Sequence, residues 1–171
     1  DIDPTVHPVW RFKGGEQAAI ARWQAFKDNG LNGYARRRNN AADLNGVSRM
    51  SAYIHYGMIS PMKIAREAAE VGTKSADKYL DELLVFREHA WHHVYAADEP
   101  YGVHNLPEWA RMSWRSTADD PRTTRYALRQ LQRADVHDPL WSACQRSLLR
   151  HGELHNNVRM TWGKALPLWT D

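Results

Sequence analysis

Residues 155–169 read HNNVRMTWGKALPLW, and their spacing restricts the fold more than any other stretch. On a helix, His155, Arg159, Trp162, Leu166 and Trp169 recur at steps of three and four and share one stripe. A stripe that long and aromatic calls for burial against other helices. It also carries an arginine, a residue seldom buried without a partner. The expectation is a buried, partnered Arg159 between two tryptophans. Pro167 lies in the same stretch, and its ring approaches the carbonyl of Gly163, so a kink is expected there.

The helical period runs through most of the chain. From Gly14, the residues Ala18, Ala19, Trp23 and Phe26 fall on one face, and Asn29-Gly30 ends the element. Residues 34–46, YARRRNNAADLNG, have no period and read as a loop. Ser48 or Ser51 is placed to cap a short helix over 53–58. Ser60-Pro61 starts a helix that reaches Val71 and stops at Gly72. Residues 74–97 form the longest candidate, with Tyr79, Leu83, Phe86, Ala90, Val94 and Ala97 marking its apolar face. Further helices are expected at 107–116, 122–134, 138–151 and 153–169. No segment alternates like a strand and none repeats. The fold class read from the pattern is all-α, with an extended lead-in over 1–13 and one helical domain over 14–171.

At 171 residues the chain is long enough for one domain with a substantial core. A net charge of +3 permits an anionic partner without arguing for one. No apolar run is long enough to cross a bilayer, so no membrane partner is expected. The chain begins at Asp1 without a signal-peptide pattern, which suggests a piece of a longer, cytoplasmic protein. The single cysteine, Cys144, rules out an internal disulfide and suits a reducing compartment. Eight tryptophans are unusual, although each taken singly reads as core filling.

Three segments carry chemistry. GVSRMSAYIHYGMIS, residues 46–60, sets small hydroxyl residues and a glycine ahead of a helix, an arrangement that suits a phosphate. On those residues alone an ordinary N-cap is the stronger reading. In LDELLVFREHAWHHV, residues 80–94, Glu82 and Phe86 are four apart and share a face, with Arg87 on the adjoining one. His89, His92 and His93 have ligand spacing, but no partner set elsewhere completes a metal site. No metal is therefore expected. The third segment, residues 138–170, supplies Trp141 and then the opening stripe.

Taken in order, these segments resemble the flavin-binding helical half of the photolyase/cryptochrome family, from Phe12 to Trp169. SRMSAYIHYGMIS is similar to the family's FAD-phosphate segment, S-x-L-S-P-Y-L-H-F-G-x-I-S. LDELLVFRE resembles its substrate-facing glutamate helix. DPLW with HGELHNNVRMTWGKALPLWT is most similar to the class II branch.

The resemblance implies FAD as cofactor and damaged DNA as partner. It sets Tyr34 against the FAD and wraps Ser48, Arg49, Met50 and Ser51 around its diphosphate and ribityl chain. Arg159 would pair with a carboxylate near the flavin ring and steady a negatively charged reduced flavin. Glu82 would face a cyclobutane pyrimidine dimer, with Asn156 and Met160 at the same pocket. Phe86 stands where class II enzymes have a tryptophan that stacks on the flipped-out dimer, and Arg38 and Arg87 would lie toward DNA. Trp141, Trp162 and Trp169 match the class II chain that relays an electron to the photoexcited flavin.

Against the family pattern, the N-terminal antenna domain is missing, as is the segment that supplies the aspartate partner of Arg159. The resemblance thus implies an incomplete FAD cradle over 14–171 that is inactive alone and needs the remainder of its own chain. The parent it implies is a monomeric deoxyribodipyrimidine photolyase. Two rivals stay open: a cryptochrome-like light sensor without repair, toward which Phe86 leans, and a cofactor-free helical module that binds nucleic acid through Arg36, Arg37 and Arg38.

Overall fold

The computed structural model describes residues 8–170, and among them there is no β-strand. The fold is all-α. Most of the expected lead-in, residues 1–7, lies outside the described residues. Residues 8–15 contain a turn at Trp10-Arg11 and no helix.

Helix α1 spans Glu16–Asn29 and buries Ala19, Trp23 and Phe26, close to the face expected of it. Residues 34–46 depart from the expected loop. A 3₁₀ turn over Leu31–Gly33 leads into one helical turn, α2, over Tyr34–Arg37. The polar stretch after it is stitched by a two-pronged ion pair, Arg37 Nε to Asp43 at 2.6 Å and its NH2 at 2.9 Å. Such a pairing is invisible to periodicity. Gly46 closes this stretch so tightly that a Cβ there would sit 2.8 Å from the Arg37 carbonyl oxygen.

Helix α3 covers Ser51–His55, shorter than expected, and neither serine caps it. The Ser48 hydroxyl is taken instead by the phenol of Tyr79 at 3.3 Å. Helix α4, Pro61–Val71, begins on Ser60, whose hydroxyl accepts from the Lys63 N–H, and ends at left-handed Gly72. The long helix is present over residues 74–96 but is not uniform. Regular α5, Lys74–Leu80, passes through a π-helical turn over Asp81–Val85 into α6, Phe86–Ala96.

That π turn explains a second departure. It inserts extra chain into the helix, so everything beyond it is rotated relative to the 3.6-residue pattern. The predicted apolar face holds through Tyr79 and Leu83, which pack in or on the core. Phe86, by contrast, is 59% exposed and Val94 50% exposed.

After α7, Glu108–Ser116, the helix expected over 122–134 shrinks to α8, Leu128–Gln132. The reason is backbone bonding. The Tyr126 N–H donates to the Trp169 carbonyl at 3.0 Å and is unavailable to a helix. Helix α9, Pro139–His151, is capped by Asp138 and ends at left-handed Gly152. Helix α10, Asn156–Trp169, starts on His155 and runs through Pro167.

The core is an aromatic cluster between α1, α2 and α5. Tyr79 packs against Trp23, Phe26 and Tyr34 with ring centroids 5.6, 5.5 and 5.1 Å away. A smaller buried group, Leu131, Ala134, Trp141, Ser142 and Cys144, lies where α8 and α9 meet. Among the described residues no helix is long and apolar enough to cross a membrane.

Candidate functional site

The segment before α3 is held in an unusual conformation. Arg49 has φ +56°, a left-handed geometry that costs a non-glycine residue about 1 kcal/mol. Its neighbours hold it there. Met50 is 2% exposed in the core, and the Ser48 carbonyl accepts from Arg22 Nε at 3.0 Å. The Arg49 guanidinium pairs with Glu153 in the turn between α9 and α10, joining residues 104 apart in the chain. Burial pushes the Tyr79 phenol up to about 12, so it remains the donor to Ser48.

Ser48, Arg49, Met50 and Glu153 form one wall of a cavity of about 680 Å³. Tyr34, Ser48, Arg49, Met50, Ser51, Glu82, Asn156 and Arg159 all line it. Eight of the residues singled out from sequence therefore converge from four separate parts of the chain. The volume is in the range that holds a cofactor.

His155 adds an unpaired donor to the wall. Its Nδ1 accepts from the Asn157 N–H at 3.3 Å, which leaves the ring proton on Nε2. That Nε2 is buried and has no partner among the described residues.

Arg159 is not buried as the helical stripe implies. It is exposed, and its NH2 donates to Asn156 Oδ1 at 2.7 Å; no carboxylate is paired with it among the ion pairs of the described residues. The stripe around it is half-buried, with Trp141 packed on Trp162 and Trp169. Met160 follows at 54% exposure and does not line the cavity.

Glu82 lines both this cavity and a neighbouring one of about 710 Å³. Its Oε1 lies 2.6 Å from the Arg38 guanidinium and 2.9 Å from the Lys78 ammonium. Arg38 also sits over the Tyr34 ring, 5.8 Å from its centroid, while burial raises the Tyr34 phenol. Arg38 is thus spent inside the site, with 18% of its side chain exposed.

Downstream of Glu82 the π turn changes the register. Residues five apart line up across a π turn, whereas residues four apart do so on an α-helix. Accordingly Arg87 shares the second cavity with Glu82, and Phe86 does not line it. An unbroken α-helix would instead put Phe86 and Glu82 on one face.

The three tryptophans meet. Trp141 stacks on Trp162 with centroids 5.8 Å apart and planes 13° apart, and its Nε1 donates to the Trp162 carbonyl at 3.0 Å. It also meets Trp169 at 5.5 Å. Trp141 is 4% exposed, and Trp162 and Trp169 are half-buried.

Sequence reasoning missed Arg22, Lys78, Glu153 and His155. Arg22 and Glu153 act across long stretches of chain and carry no local signal. Lys78 was findable, because it lies four residues before Glu82 on one helix face. Among the described residues no cluster of three or more His, Cys, Asp or Glu is placed to hold a metal ion.

An all-helical shell around such a cavity is a known architecture. A class III photolyase from Agrobacterium tumefaciens superposes with a TM-score of 0.71 over 94% of this chain and 33% of that one, at 23% identity. The fold is of the photolyase type. Sequence relatives agree: a deoxyribodipyrimidine photolyase from Methanothermobacter thermautotrophicus is 37% identical over the whole chain. One from Oryza sativa is 36% identical over 91% of the chain, and one from Potorous tridactylus 28% over 99%. No family model matches. On these homologies the chain belongs to the photolyase/cryptochrome family, and it spans about a third of the length of the relatives it matches, between 32% and 37%.

Proposed function

We propose that this chain supplies part of the FAD-binding half of a light-driven photolyase that splits cyclobutane pyrimidine dimers. The observation that carries the reading is the convergence of Tyr34, residues 48–51, Glu82, Asn156 and Arg159 on one 680 Å³ cavity. The relatives' names point to the same chemistry.

The residues fit the cofactor. Hydroxyls of Ser48 and Ser51, the Arg49 guanidinium and the orphaned His155 Nε2 form a donor set suited to a diphosphate and ribityl chain. Tyr34 offers a ring edge to a planar group, and Arg159, exposed at the cavity, offers a cation to a reduced flavin. Bound there, FAD would be the light-absorbing redox centre that donates an electron to the dimer.

This chain's own residues position the partners. Glu82 stands at the junction of the two cavities, held by Arg38 and Lys78, and would meet a base flipped out of the duplex. Arg87 lies on the outer side, toward the phosphate backbone, with Phe86 beside it. Asn156 and Met160 would complete the lesion side. Trp162, Trp141 and Trp169 would relay electrons from the surface to the flavin. The working protein is a cytoplasmic monomer, and residues 14–171 are one part of its flavin domain.

A repair-deficient light sensor would use the same cavity, and exposed Phe86, a weaker stacking surface than tryptophan, is the feature that favours it. The cofactor-free alternative loses ground because Arg37 is tied to Asp43 and Arg38 to Glu82. The test is Glu82→Ala in the full-length protein. Flavin should stay bound while dimer repair falls by about 10²-fold, the scale expected for losing one preorganised charged group in a site. Unchanged repair would remove Glu82 from the chemistry. A wild-type protein that binds flavin but not dimer-containing DNA would establish the sensor reading.

A further inference from the structure

The cation best placed to meet a phosphate in the large cavity already holds an anion from this same chain. Arg49 Nε donates to Glu153 Oε1, and both residues line the cavity. Among the described residues neither side chain has a second ion pair. Glu153 is fixed by its backbone and not by its side chain. The preceding Gly152 is left-handed, with φ +60°, and the Ser147 hydroxyl donates to the Glu153 carbonyl oxygen at 2.9 Å. The side chain itself is 26% exposed, so water can receive its carboxylate without the backbone moving.

A second guanidinium stands close by. Arg22 gives its Nε to the Ser48 carbonyl oxygen at 3.0 Å and makes no ion pair among the described residues. Burial, then the nearby Arg49, holds Arg22 below its ordinary pKa, while Tyr53 and Glu153 act in the opposite sense. This end of the cavity therefore gathers two cations around one carboxylate. A diphosphate linkage brings two negative charges of its own. Set against Arg49 with Glu153 in place, it would lie beside a like charge in a partly desolvated site, an unfavourable contact at short range. With Glu153 turned to water, two guanidinium groups face two negative charges and the contact is balanced.

We propose that Glu153 is a displaceable internal anion, which occupies Arg49 until an anionic ligand takes the guanidinium, and which thereby sets how tightly the cavity holds a diphosphate. The proposal rests on the flavin reading of the cavity and adds the residue that tunes it. No covalent bond changes. Arg49 exchanges a carboxylate for a phosphate, and the carboxylate becomes hydrated. The cost of that exchange is subtracted from the affinity of any ligand that needs Arg49. Riboflavin, which has the ring system and the ribityl chain but no phosphate, does not incur it.

The test measures binding to the full-length protein freed of flavin, by quenching of flavin fluorescence, for FAD and for riboflavin. Glu153→Gln should bind FAD about tenfold more tightly than wild type, the scale of two partly screened charge contacts, one freed and one removed. Riboflavin should bind both proteins alike, and the gain for FAD should shrink as potassium chloride rises. If Glu153→Gln binds FAD no better than wild type, the carboxylate costs nothing and the proposal is wrong. Equal changes for FAD and riboflavin would also overturn it, by assigning Glu153 to the shape of the cavity. A flavin-free measurement separates the proposal from the reading beneath it. It follows the Arg49 Nε–H resonance of ¹⁵N-arginine protein, identified by its loss in Arg49→Lys, as inorganic pyrophosphate is added. The resonance should move in wild type, and at about tenfold lower pyrophosphate in Glu153→Gln. If pyrophosphate moves it but no flavin binds, the flavin reading falls and the displaceable anion stands. A resonance that pyrophosphate leaves unmoved would overturn the displacement even with flavin bound.

Discussion

Glu67 shows how one side chain can tie two helices together without a large buried area. Its carboxylate receives Lys63 at 2.5 Å, Lys27 at 2.9 Å and the indole N–H of Trp23 at 2.8 Å, joining α4 to α1. Lys63, then Lys27 and Trp23, hold its pKa at about 2, below the ordinary 4.5. A carboxyl group depressed on folding stabilises the native state above its unfolded pKa, and the benefit disappears as pH falls through the folded one. Stability should therefore decline between about 4.5 and about 2 from this group. In Glu67→Gln the acid limb should be flatter over that window, with lower stability at neutral pH and near-equal stability at the acid end. Urea midpoints for both proteins at three pH values would show it. Parallel curves would mean that the three contacts contribute nothing net. Arg49 makes the complementary case, because its left-handed backbone is a cost at the very residue whose side chain reaches Glu153 in the cavity wall.

The π turn over Asp81–Val85 is the element on which the proposed substrate side of the site depends. It puts Arg87 on the cavity that Glu82 lines and turns Phe86 outward. Deleting Leu84 should convert the turn to regular α-helix and leave Arg87 four residues after Glu82, still on its face. In the full-length protein helix content by circular dichroism should hold, flavin should remain bound and affinity for dimer-containing DNA should be kept. Lost affinity would show that the π turn itself, and not the Glu82–Arg87 register, matters to the site. The same turn marks the limit of what periodicity reveals. Helices α1, α4 and α9 were legible because their apolar spacing and their Ser-Pro, Asp-Pro and glycine punctuation agree with their packing. The cavity residues at 48–51, 156 and 159 were legible as a motif resemblance, not from periodicity. The π turn, the Arg37–Asp43 stitch and the Glu153 pair were not legible, since each depends on contacts that no local period encodes.

The molecule as a whole buries one half well and leaves the other open. Helices α1 to α5 enclose an aromatic core, whereas α6 and α7 carry no buried residue. Trp91, Tyr95, Trp109 and Met112 are 62%, 92%, 74% and 59% exposed. Scattered apolar residues on a surface are ordinary, but four large ones on two successive helices expose more apolar area than the core helices do, and such area is what an apolar dye finds. The chain as it stands should bind an anilinonaphthalene dye under native conditions, with a blue-shifted emission. Trp109 and Met112 lie one turn apart on α7, so they present a single face. Changing both to glutamine should remove a large part of the dye signal and leave the thermal unfolding midpoint nearly unchanged, because neither contributes to the core. A midpoint that drops by many degrees would show that α7 is packed in solution and the face is not open. An unchanged dye signal would locate the apolar surface elsewhere, with α6 and its Trp91 the next segment to vary.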